Sequence, residues 1–212
     1  MNPSTDTFVN CLDRAEAETQ PYRHWLLKDA LSQDTCEAIV NLPIDPPEIT
    51  DYDGSREANK DTRYYFNPEA CARFEVCRDV VDTFKDQHTI RKIEDTCGID
   101  LSKVHLRIEY IQDTDGFWQE PHTDLREKLF TMVIYLSKEP ELADAGTDMF
   151  DQQLKYVKTV PFKPNHGLIF IPGKDTWHGF IKRPIRGVRR ELIVHYVSDA
   201  WRDRWQLAVK AD

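Results

Sequence analysis

From Lys103 to Ile111 the chain alternates, with Val104, Leu106, Ile108 and Tyr110 on one face, as an extended strand requires. LFTMVIYL (129–136) is a continuous β-branched and aromatic run. Shorter strand-like pieces follow: GTDMF (146–150), KYVKTVPF (155–162), GLIFIPG (167–173) and RELIVHYV (190–197), separated by turn residues. Before Gly98 the pattern differs. Residues 21–30 predict a short strand. Ser32 is placed to cap a helix that ends by Pro43. Asn67-Pro68-Glu69 combines a cap, a first-turn proline and an acid, and Phe74, Cys77, Val80, Val81 and Phe84 then recur at helical spacing. A further helix is expected over 89–97, stopping at Gly98. Trp201, Trp205 and Ala208 predict a C-terminal helix docking on the core.

Several short strands after a helical layer predict a mainly β fold with flanking helices, a double-stranded β-helix (jelly roll). The expected division is an N-terminal tail over 1–20, either loosely held or a short helix, a helical layer and loop over 21–98, and a jelly-roll core with its C-terminal helix over 99–212. The 43–63 stretch carries three prolines and few large apolar residues, which suggests a lid or binding loop.

The chain has 212 residues, enough for one domain with a real core. Its formal charge of −9 disfavours nucleic acid as a partner. No apolar run reaches membrane-spanning length, and the polar, acidic start is no secretory signal. Five cysteines without a CxxC pattern read as reduced thiols, so a cytoplasmic location is expected.

Of the seven histidines, those that converge with a carboxylate matter most. In EPHTDL, His122 and Asp124 are two apart and share a face of an extended segment, so both reach one point. In KDTWHGF, His178 lies on a downstream strand, which a jelly roll can bring alongside. Two imidazoles and one carboxylate form a facial triad with three open metal positions, suited to non-haem iron. Arg189 and Arg190 open the last strand; a buried guanidinium there matches a carboxylate in bidentate fashion. Strand alternation lets only one of the two point inward. If it is Arg189, then Glu191 points inward as well and needs a partner. His105, His166 and His195 read as structural.

The order HTD, strand ending in YL, GTDMF, TWHG and Gly187-Val188-Arg189 resembles the 2-oxoglutarate- and Fe(II)-dependent oxygenases, and within them the small prolyl-hydroxylase-like members. That resemblance covers roughly residues 100–200. It implies a dioxygenase that hydroxylates an unactivated C–H bond of a small molecule or peptide side chain, using dioxygen and producing succinate and carbon dioxide. It implies His122, Asp124 and His178 as iron ligands. Arg189, with Arg190 as the fallback, would hold 2-oxoglutarate, helped by Tyr135, Thr131 and Tyr110. Arg107, Phe117 and Trp118 are expected to contact substrate. Glu191 departs from the small hydroxyl residue often found two after the arginine. A cupin-like metal barrel without 2-oxoglutarate is the competing reading. Trp201 and Trp205 also make a homodimer one expectation.

Overall fold

The computed structural model describes residues 3–49, 52–55 and 63–209. The N-terminal half supplies α1 (Pro3–Asp13), β1 (Glu16–Glu18), β2 (His24–Lys28), α2 (Gln33–Val40), β3 (Arg63–Tyr65), α3 (Pro68–Arg73), α4 (Glu75–Lys85) and α5 (Gln87–Cys97). Eight strands follow: β4 (His105–Asp113), β5 (Gln119–His122), β6 (Lys128–Tyr135), β7 (Asp148–Phe150), β8 (Tyr156–Thr159), β9 (His166–Phe170), β10 (His178–Phe180) and β11 (Arg189–Val197). They form two antiparallel sheets, a large one ordered β1-β2-β9-β6-β11-β4-β3 and a small one ordered β5-β10-β7-β8, as the jelly-roll expectation requires.

The period of two in the central strands decides both layers. Even-numbered residues of β4, β6 and β11 (Leu106, Ile108, Phe130, Met132, Leu192, Val194 and Tyr196 among them) are buried in one cluster with Phe84, Val80 and Ile93 of the helices. Odd-numbered Val133, Tyr135 and Ile193 of β6 and β11, with Leu168 and Phe170 of β9, belong to a second cluster with Met149 and Phe180 of the small sheet. The large sheet is therefore covered on both faces, and only this second face looks into the barrel.

Local signals set the helix ends. The Ser32 hydroxyl accepts from the Thr35 N–H, and Asn67 Oδ1 accepts from the Ala70 N–H behind Pro68. The expected helix from Asn67 is divided at Phe74, whose backbone is extended, and resumes as α4. Asp86 caps α5, which ends at Gly98.

The termini differ from a loose tail and a docked helix. Of the two readings of the N-terminus, the short helix is the one found, and it is not loosely held. Phe8, Cys11 and Leu12 of α1 are buried, Phe8 meets Phe84 edge-on with centroids 4.9 Å apart, and β1 pairs with β2. The C-terminal Trp pair forms no α-helix; only a single turn at Arg204–Gln206 is helical. Trp201 is buried under the Arg107 guanidinium, and Leu207 bridges to Arg107 at the strand, so this segment stays extended along the sheet.

The described part of the 43–63 loop is pinned at the barrel mouth. Gln112 Nε2 donates to the Ile44 carbonyl, Thr114 Oγ1 to that of Pro47 and Trp118 Nε1 to that of Tyr52. Gly54 has φ +82°, and a Cβ there would lie 2.4 Å from the Trp118 ring, so only glycine lets the loop lie this close. Residues 50–51 and 56–62, which complete the expected lid, lie outside the described residues.

Candidate metal centre and cavity

His122 ends β5 and His178 begins β10, and the two are paired residues in the antiparallel ladder. Their ring centroids are 4.4 Å apart. Gly179 allows this approach: a Cβ there would stand 2.7 Å from the Gln119 carbonyl. Asp124 follows β5 in the next turn of chain. One ligand atom from each of His122, Asp124 and His178 lies within 4.8 Å of the others. Sequence spacing thus brought together the three residues it pointed to.

The imidazoles are oriented for metal. His122 Nδ1 lies 2.9 Å from the Glu120 carbonyl and His178 Nδ1 2.9 Å from the Thr176 carbonyl. A carbonyl only accepts, so each Nδ1 carries the proton and each Nε2 presents a lone pair. Burial, then the charge of His178, pushes His122 down to about 3. Burial also lowers His178, against the opposing pull of Asp124. Both rings are therefore neutral near pH 7, as ligands must be.

Burial works against the charge on Asp124. The positive charge of Lys128, joined by those of His178 and His195 once acid protonates them, outweighs it and holds the carboxyl far below its usual range. Lys128 Nζ donates to Oδ1 at 2.5 Å and Thr131 Oγ1 donates to Oδ2 at 2.7 Å. Thr131 Oγ1 also lies 3.1 Å from His195 Nδ1. The chain of contacts continues to Glu109, 3.2 Å from His195 Nε2, which receives two hydrogen bonds from Arg107.

These groups wall a cavity of about 290 Å³, the size of a small-ligand site. His122, Asp124 and His178 line it together with Arg189, Glu191, Thr147, Arg63, Glu109 and His195. The register settles the choice between the arginines. Arg189 opposes Asp113 on the odd, inward face, whereas Arg190 lies on the other face, beside Glu139 and away from the metal ligands. Tyr110 shares that outer face, in the core with the helices, so neither Arg190 nor Tyr110 reaches the cavity. Thr131 lines it. Tyr135 stands behind it, donating its hydroxyl proton to Thr147 Oγ1 at 3.0 Å and accepting from the Thr147 N–H at 3.1 Å.

The expected substrate contacts are elsewhere. Arg107 is 1% exposed and committed to Glu109, Gln206 and Tyr65. Phe117 is buried between Tyr52 and Phe180, and Trp118 covers Gly54. None of the three lines the cavity. The sequence reading missed Glu109, His195 and Lys128. Two signals pointed there: His195 shares the alternation of Arg189, and Glu109 shares that of Arg107 on the face opposite Leu106, Ile108 and Tyr110.

Arg189 is buried and fully engaged. Its Nε donates to the Ala145 carbonyl at 2.6 Å. Nη1 donates to Asp113 Oδ2 and Glu191 Oε2, each at 2.7 Å, and Nη2 stands 2.6 Å from Glu191 Oε1. Two buried carboxylates thus share one guanidinium. The three-ligand set fits a transition metal. As it stands, the arginine does not fit the far carboxylate of 2-oxoglutarate, because Glu191 and Asp113 already take that place.

No protein-family model matches the sequence, and no curated protein matches it. Solved structures share its fold. A Pseudomonas putida prolyl-4-hydroxylase aligns over 92% of this chain and 100% of its own, with a TM-score of 0.60 and 13% identity. A Trichoplax adhaerens prolyl hydroxylase, determined with a hypoxia inducible factor peptide fragment, gives 0.60 and 13% over 92% of this chain and 89% of its own. A 2OG-Fe(II) oxygenase family protein from Burkholderia pseudomallei gives 0.55 and 12% over 93% and 92%. The jelly roll of this chain is the fold of the prolyl hydroxylases.

Proposed function

We propose that this protein is a 2-oxoglutarate- and Fe(II)-dependent oxygenase that hydroxylates an unactivated C–H bond of a small molecule or an amino-acid side chain, releasing succinate and carbon dioxide. The observation that carries this reading is the convergence of His122, Asp124 and His178 on one cavity wall, each within 4.8 Å of the others. The fold shared with prolyl hydroxylases supports it. When bound, a ferrous ion held by these three residues supplies dioxygen activation at its open positions.

The chain's own residues prepare that site. Glu120 and Thr176 carbonyls fix both imidazoles in the tautomer that presents Nε2. Thr131 and Lys128 hold the Asp124 carboxylate. The Phe170 ring packs 4.7 Å from that of His178 and backs the imidazole. The loop pinned around Gly54 narrows the mouth, and Ser55 reaches the cavity. A cavity of about 290 Å³ suits one amino-acid side chain or a molecule of similar size. The peptide bound by the Trichoplax protein makes a peptide substrate a reasonable first choice to assay.

The test is succinate formation from 2-oxoglutarate by the Fe(II)-loaded protein in air. Formation that His178→Ala abolishes supports the reading. Equal formation by the variant, correctly folded, contradicts it. One observation favours the second reading, a cupin-like metal barrel without 2-oxoglutarate: Arg189 is already satisfied by Glu191 and Asp113.

A further inference from the structure

We infer that Glu191 is a built-in competitor for the Arg189 anchor and sets which keto acid this site accepts. The inference rests on the oxygenase reading above. A dicarboxylic keto acid can seat its far carboxylate on Arg189 only after Glu191 lets go, whereas a keto acid with an uncharged tail does not need that anchor.

The geometry is that of an occupied carboxylate site. Arg189 and Glu191 lie two apart on β11 and both project from its inward face into the cavity that holds the metal ligands. The Glu191 oxygens lie 2.7 and 2.6 Å from two different guanidinium nitrogens, the first a hydrogen bond from Nη1 and the second an ion-pair contact with Nη2, so both nitrogens that an incoming carboxylate would use already face an acid. Arg189 is 3% exposed, Glu191 2% and Asp113 0%. Two carboxylates therefore already lie against this guanidinium away from water. A third carboxylate brought to the same nitrogens meets Glu191 there and must displace it. Tyr135 and Thr147 offer no charge in its place, since both are neutral and bond to each other.

Asp113 makes Glu191 separable from the fold. With Glu191 gone, Asp113 remains 2.7 Å from Arg189 Nη1 and Ala145 still takes Nε–H, so the arginine keeps a counter-charge. Nothing else among the contacts of Arg189 has the shape of a bidentate acid. The residue that decides access for a far carboxylate is thus Glu191.

The experiment uses the full chain loaded with Mn(II) under nitrogen. Binding of 2-oxoglutarate and of 2-oxobutanoate, its monocarboxylic counterpart, is measured by calorimetry for the native protein, Glu191→Gln and Glu191→Ala. Gln keeps the size and removes the charge; Ala removes both. The expected result is 2-oxoglutarate binding at least about tenfold tighter in both variants, with 2-oxobutanoate binding changed less than about threefold. A merely structural Glu191 would weaken both acids or neither. Unchanged or weaker 2-oxoglutarate binding in the metal-loaded variants overturns the inference and leaves the metal centre standing. Failure of the native protein to take up Mn(II) overturns the oxygenase reading, and the inference falls with it.

Discussion

His122 and His178 face each other directly across the β5–β10 ladder, and the metal site is thereby tied to the pairing of two short strands. Placement of the two histidines follows from backbone register, and Asp124 follows in the segment just after β5. The same ladder requires the glycine after His178, because the Gln119 carbonyl occupies the space of a side chain there. Gly179→Ala should therefore disturb the centre by displacing backbone.

Thr131 links Asp124 to His195 and is a positioning residue. Thr131→Val keeps the shape and removes the hydroxyl that donates to Asp124. Loss of such a ligand-supporting hydrogen bond typically weakens metal affinity about 10- to 100-fold. A Mn(II) titration checks this; affinity equal to the native protein would show that Lys128 alone holds the carboxylate.

The N-terminal helix is part of the core. Phe8 is fully buried against Phe84. Phe8→Ala should cost about 3–5 kcal/mol of folding stability, the usual loss for a buried aromatic cut to alanine. Denaturant unfolding measures it, and a loss below about 1 kcal/mol would contradict the packing of α1.

The cysteines should be inert as a group. Burial pushes the Cys77 and Cys97 thiols up to about 12 and those of Cys11 and Cys36 to about 11; half-buried Cys71 is raised as well. Reactivity needs the thiolate. At pH 8 a disulfide reagent should label Cys71 first and the other four only slowly, with all five reacting after denaturation. Because the folded values lie above the ordinary 9, the thiols' contribution to stability is intact below pH 9. It is lost as pH climbs toward 12, where only the unfolded chain ionises early. Rapid labelling of Cys77 or Cys97 in the native protein would contradict their burial.

Much of this was legible in the chain. Strand alternation located both faces of the large sheet. HxD and the distal histidine picked out the three side chains that converge, because a period of two and strand pairing are enough to bring them together. The caps at Ser32 and Asn67 are local and therefore readable. What stayed hidden depends on long-range packing. The polar sequence of α1 conceals the few residues, Phe8, Cys11 and Leu12, that anchor it. Trp201 and Trp205 have helical spacing, but the cation–π contact with Arg107 and the bridge of Leu207 draw the chain along the sheet. Alternation showed that Glu191 would accompany Arg189 inward; that Asp113 joins them needed the β4–β11 register.

The most direct measurement is the stoichiometry of Mn(II) binding, followed by electron paramagnetic resonance, in the native protein, Asp124→Ala and His178→Ala, with folding checked by circular dichroism. One tightly bound ion per native chain, lost in both folded variants, is the predicted result. A native chain that binds no ion, or folded variants that bind it as tightly as the native protein, would contradict a metal centre built from His122, Asp124 and His178.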